Sequence, residues 1–140
     1  MGTTDAGLTM SYVTVERTFR GDPEAVFEWF TDPEKLIRWW PSEAVTDPVN
    51  GGSYQMYWAG PDVTLRGSYN AVDPGSRLEF TWSWDHDDLP LRTVEIRFAK
   101  SGGDTVVTVV HEAGSTEEAD DYESGWTHFL WQLDAEIASA

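Results

Sequence analysis

Of the three histidines in the chain, His111 stands where an imidazole can act. It ends the alternating run Val107, Val109, His111, so a strand that turns its valines inward turns the imidazole inward too, toward Trp126 on the following segment. A neutral imidazole there could hydrogen-bond a ligand's polar end, or move protons as a general acid or base; the alternative is a satisfied core histidine. Arg17 is the second polar side chain on an apolar strand face. A guanidinium at that place orients a ligand carboxylate or phosphate, or closes an internal ion pair, for which strand parity makes Glu79 a poor partner.

Large rings surround these two. Trp39, Trp40, Tyr54, Trp58, Tyr69, Phe80, Trp82, Trp84, Phe98, Trp126 and Phe129 are more than one small core needs. Rings that hold a sheet and a helix apart would wall an apolar cavity with a few placed polar groups; the alternative is a solid core filled by the same rings. Gly67, between inward Leu65 and Tyr69, opens such a cavity, marks a bulge or permits close packing. Gly125, beside Trp126, would let its helix approach a strand.

Other chemistries find little support. His128 falls on the polar side of its helix, and His86 lies in the acidic turn Asp85 to Asp88, which lacks the glycine and distal glutamate of a calcium loop. No zinc spacing, nucleophile elbow, phosphate loop or dinucleotide fingerprint occurs, so neither metal nor cofactor is expected. The absence of cysteine excludes disulfides and thiolate chemistry.

At 140 residues the chain has room for one core, and 40% hydrophobic residues with eight tryptophans suffice to build it. Acidic residues outnumber basic ones 25 to 9, for a formal net charge of -16, which repels nucleic-acid backbones and anionic membranes. That excess suits a salt-rich cytoplasm, although high genomic GC content also favours arginine over lysine. Residues 1–6 show neither the basic nor the apolar stretch of a leader, and no run approaches the roughly 18 apolar residues of a membrane span, so a cytoplasmic protein is expected.

The elements that must position these side chains follow from period and punctuation. Tyr12 to Phe19 alternates as a half-buried strand. Asp22-Pro23 and Asp32-Pro33 each open a short helix with a cap and a proline, the second loaded by Leu36, Ile37, Trp39 and Trp40 up to Pro41. From Glu43 to Glu112, alternating strands separated by Gly, Pro and Asp turns form an antiparallel meander. Glu118 to Ala138 is one long helix with Tyr122, Trp126, Phe129, Leu130, Leu133 and Ile137 on its apolar stripe. Its acidic start, Glu117 to Glu123, suits the helix dipole. Trp131 lies off the stripe, where it shields a neighbouring segment or makes a weak homodimer contact.

This is an α+β layout in which a curved antiparallel sheet wraps a C-terminal helix. Within it, Arg17-Thr18-Phe19, Pro23-Glu24-Ala25-Val26-Phe27, Thr31-Asp32-Pro33-Glu34-Lys35-Leu36 and Arg38-Trp39-Trp40-Pro41 resemble the first half of the activator-of-Hsp90-ATPase-homologue-like family. Gly51-Gly52, Phe80-Thr81-Trp82, Val109-Val110-His111-Glu112 and Gly125-Trp126 resemble its second half. The resemblance runs over about residues 12 to 139 and implies the helix-grip fold of the START-like, or Bet v 1-like, superfamily, which often encloses an apolar cavity for lipids, sterols or polyketides. Fold does not carry function.

The expected organisation is a flexible segment 1–11 and a single domain over 12–140. Its expected role is to bind a small hydrophobic molecule between sheet and helix. Arg17, Trp39, Trp40, Tyr54, Trp58, Tyr69, Phe80, Trp82, His111, Trp126 and Phe129 are the candidate ligand-binding residues. Two alternatives stay open: a cavity enzyme of cyclase, dehydratase or hydrolase type using His111, and a chaperone-associated module partnering Hsp90. The family's eukaryotic co-chaperone makes much of its chaperone contact through a separate N-terminal domain, and no counterpart of it is expected within these 140 residues.

Overall fold

The computed structural model describes residues 11–140. The expectation for segment 1–11 therefore lies outside the described residues except at Ser11, which already pairs with Ala113. Chain order is β1 (Ser11–Arg20), α1 (Pro23–Glu28), α2 (Pro33–Leu36), β2 (Glu43–Thr46), β3 (Ser53–Trp58), β4 (Val63–Asp73), β5 (Arg77–Trp84), β6 (Arg92–Ser101), β7 (Asp104–Ala113) and α3 (Thr116–Ser139). The strands form one seven-stranded antiparallel sheet in the order β1-β7-β6-β5-β4-β3-β2. First and last strands are thus neighbours, and the two short helices carry the chain from one edge of the sheet to the other.

Proline starts both short helices, because its fixed backbone angle suits a first turn that has no use for its missing N–H. The Asp32 side chain accepts from the Glu34 amide at 2.9 Å, whereas Asp22 caps without a side-chain bond. The second helix is shorter than the apolar loading suggests. It closes after Leu36 in a tightened turn, and Ile37 is left 46% exposed while Trp39 and Trp40 are buried. Trp39 and Trp40 follow in the turns beyond the helix and stack on each other at 5.3 Å.

On the sheet, alternation decides which side chains face α3. Val94 pairs with His111, and Trp82 pairs with Arg92, so the inward faces of β5, β6 and β7 meet in one patch. Helix α3 starts at the cap Ser115, whose hydroxyl accepts from the Glu118 amide at 3.1 Å. The helix lies against β1 and β7 and buries Trp126, Leu130 and Leu133.

Close approach explains Gly67. It faces Tyr54 across the β3/β4 ladder, and the tyrosine ring lies over it to donate from its hydroxyl to the Thr81 carbonyl on β5 at 2.5 Å. A Cβ on Gly67 would collide with that carbonyl and come within 2.7 Å of the ring. The ladder to β5 shifts register just beyond, between Tyr69 and Ala71, which bends the sheet. Gly67→Ala is therefore expected to lower stability by about 1–3 kcal/mol, as overpacking does. Chemical denaturation measures it, and a neutral substitution would show that the strands part without cost.

Candidate ligand-binding site

The interior between sheet and helix is solid at one end and hollow at the other. At the solid end Tyr54, Tyr69 and Phe80 interlock, with Tyr54 5.6 Å from Tyr69 and 5.4 Å from Phe80 between ring centres. The void left among them and Met56, Phe30 and Ile96 is about 10 Å³, too small for a guest. Burial pushes both tyrosine hydroxyls above their ordinary pKa, so they stay protonated.

The hollow end is a chamber of about 400 Å³. Trp58, Val63, Trp82 and Trp84 form its sheet wall, Trp40 its inner end, and Tyr122, Gly125, Trp126 and Phe129 its helix wall. The rim carries Pro61, His86, Asp87, Leu89, Glu118 and Asp121. The indoles are tilted against one another, Trp58 to Trp84 by 53° at 5.2 Å and Trp40 to Trp126 by 48° at 5.1 Å, so no single stack closes the space. Gly125 is part of this wall. A Cβ there would meet nothing, so its role is not the close helix–strand approach that its place beside Trp126 suggests.

The candidate residues thus separate by place. Trp40, Trp58, Trp82, Trp126 and Phe129 line the chamber; Tyr54, Tyr69 and Phe80 belong to the solid end. Trp39 stands behind Trp40, stacked on it at 5.3 Å, and donates its indole N–H to the Trp29 carbonyl at 2.9 Å. Arg17 does not reach the chamber. Its guanidinium donates to Asp134 on α3 at 2.9 Å; the sequence left a carboxylate pairing open as an internal one, and the pair is part-exposed instead. Such a pair contributes roughly 0–1 kcal/mol.

His111 is fully buried but lies one layer behind the wall. Its Nδ1 accepts from the Trp126 indole N–H at 2.9 Å, which puts the imidazole proton on Nε2. Tyr122 stacks on it at 3.7 Å between ring centres. The Tyr122 hydroxyl donates to Glu118 at 2.7 Å, and Arg92 donates to the same carboxylate through Nε at 2.6 Å and Nη2 at 2.8 Å. Arg92 and Glu118 side chains are 8% and 9% exposed, so the pair is buried and hydrogen-bonded on both members. Sequence reasoning missed this network. Arg92 shares strand parity with Val94, Ile96 and Phe98, the same signal that singled out Arg17, while Glu118 was hidden among acids explained by the helix dipole.

His86 is also closer to the site than an acidic hairpin tip suggests, resting on Trp84 at 5.5 Å. His128 is exposed, as its helix position predicts, and stacks on the 60%-exposed Trp131. Among the described residues there is no cluster of three metal-ligating side chains, and no helix is long and apolar enough to cross a membrane.

A family model described as activator of Hsp90 ATPase homolog 1-like protein matches residues 20–138. No curated protein matches the chain. Among solved structures, protein MLL2253 from Mesorhizobium loti is 20% identical with a TM-score of 0.82, over 93% of this chain and 98% of that one. CalU16 from Micromonospora echinospora is 23% identical with a TM-score of 0.77, over 90% and 75%. DynU16, a protein of the dynemicin biosynthetic locus, is 22% identical with a TM-score of 0.81 over 91% of this chain, but the match spans only 47% of DynU16. These likenesses establish the helix-grip fold.

Two buried groups give the fold a pH signature. Burial pushes the His111 imidazole down to about 3 from an ordinary 6.5, and Arg92 holds the Glu118 carboxyl at about 2 against 4.5. In each case the unfolded chain takes up a proton that the folded one refuses, so acid destabilises, through His111 below pH 6.5 and through Glu118 below pH 4.5. One group contributes a slope of at most about 1.4 kcal/mol per pH unit. His111→Gln, which keeps an acceptor for Trp126, is expected to flatten the decline between pH 6.5 and 4.5 and leave the steeper limb below it. Urea unfolding at each pH measures both limbs; an unchanged upper slope would mean the imidazole is not held neutral.

Proposed function

The chain belongs to the activator of Hsp90 ATPase homolog 1-like family, and on that premise we propose that it binds a small, mainly apolar molecule in the chamber between its sheet and α3. The supporting observation is the chamber itself, about 400 Å³ walled by five indoles, one phenol and one phenyl ring. That size falls at the lower end of small-molecule sites, and an apolar wall with few polar groups is their usual lining. Filling it would recover the dispersion contacts that the rings lack on their inner side.

The wall offers no proton-transfer group in the place the enzyme alternative requires. His111 is covered by Tyr122 and Trp126, and at neutral pH it is an uncharged, weakly basic positioning residue that orients the Trp126 indole. A carrier or receptor role therefore draws more support from the geometry than catalysis does, and the reading gives Hsp90 no part.

Native mass spectrometry of gently purified protein and a thermal-shift screen of sterols, aromatic polyketides and fatty acids test the proposal, with a bound mass or a rise in melting temperature expected. Gly125→Leu supplies the control. It sends a branched side chain into open space and replaces a helix-interior glycine, which costs about 0.8–1.0 kcal/mol relative to alanine. The variant should melt no lower than the parent yet lose ligand binding at least about tenfold. If no guest stabilises the parent, or if the variant binds as well, the chamber is not the site.

A further inference from the structure

We propose that the chamber selects positively charged guests: its ligand is an amine or quaternary ammonium carried on an apolar body. This inference rests on the ligand-binding reading and specifies the charge of the ligand.

Besides the Tyr122 phenol, the ionisable side chains lining the chamber are Asp87, Glu118, Asp121 and His86; none is lysine or arginine. Glu118 is neutralised by the two-pronged bond from Arg92. On the neighbouring strand Arg66 is likewise engaged, donating to Asp85 at 2.7 and 2.5 Å. Asp87 and Asp121 thus remain at the rim with no ion-pair partner among the described residues; the one bond to Asp87 comes from the Leu89 amide at 3.1 Å. A carboxylate or phosphate ligand entering here would meet two like charges and no free guanidinium. A cation would meet both carboxylates in attraction, within a protein whose formal net charge is -16.

The walls favour the same sign independently. An indole face is the most attractive aromatic surface for a cation, through the negative face of its quadrupole. Five indoles line this space, and neighbouring pairs among Trp58, Trp84, Trp40, Trp126 and Trp82 are tilted by 28° to 90°, so they do not form one flat stack. An aliphatic or fused-ring body suits every one of these walls equally; only the charge discriminates.

A matched series separates this inference from the reading beneath it: naphthylmethyl-trimethylammonium, its uncharged carbon isostere and naphthylacetate, titrated by tryptophan quenching and calorimetry at low and high salt. The ammonium is expected to bind at least about tenfold tighter than the isostere, with the carboxylate weakest. The Asp87→Asn/Asp121→Asn double variant, altered only at the rim, should bind the ammonium several-fold more weakly and the isostere unchanged. Equal affinity of ammonium and isostere, or tightest binding of the carboxylate, overturns the charge selection and leaves ligand binding standing. Ammonium binding that survives Gly125→Leu is surface attraction and overturns it as well. If none of the three binds, both readings fall.

Discussion

The Trp126 indole donates to the buried His111 imidazole across the gap between α3 and β7, and the rest of the interior is arranged around that bond. Tyr122 stacks on the imidazole, and its hydroxyl reaches Glu118, which in turn holds Arg92 from β6. Five side chains from three elements thus form two hydrogen-bonded groups, Trp126–His111 and Tyr122–Glu118–Arg92, joined by the stack of Tyr122 on the imidazole, whose buried Nε2 has no partner. The rings of Tyr122, Trp126 and His111 therefore lie between the first half of α3 and the sheet.

The two ends of the interior follow from this. Toward its C-terminal half, α3 packs down through Leu130 and Leu133, both essentially inaccessible, and the sheet beneath is filled by branched aliphatic residues. At the opposite side the Tyr54 ring crosses Gly67, reaches β5 and closes the space with Tyr69 and Phe80 to a void of about 10 Å³. Between these tight regions the five indoles meet at angles that leave a chamber. Flat, rigid rings fill such a space less adaptably than methionine does.

Much of the element order was readable beforehand. The Asp-Pro starts, the alternation of β5 to β7 and the apolar stripe of α3 are local signals, and each corresponds to an element in the structure. The candidate site was readable only in part. Parity aimed His111 inward and toward Trp126 correctly, yet it could not say whether the imidazole would front the chamber or stand behind it. Tyr122 and Phe129 count as helix-stripe residues by period, and nothing local distinguishes a stripe position that packs from one that borders a void.

What the chain's own order of residues determined was therefore the set of strands and helices, their inward faces and the surplus of rings to be accommodated, because capping, alternation and helical period act between near neighbours. Which rings interlock and which enclose space was decided by tertiary structure alone. So were the pairing of Arg17 with Asp134 and the coupling of Arg92 to Glu118 and Tyr122. Those partners come from elements far apart in sequence, and a cavity is a property of the distance between packed layers, which no single stretch of sequence encodes.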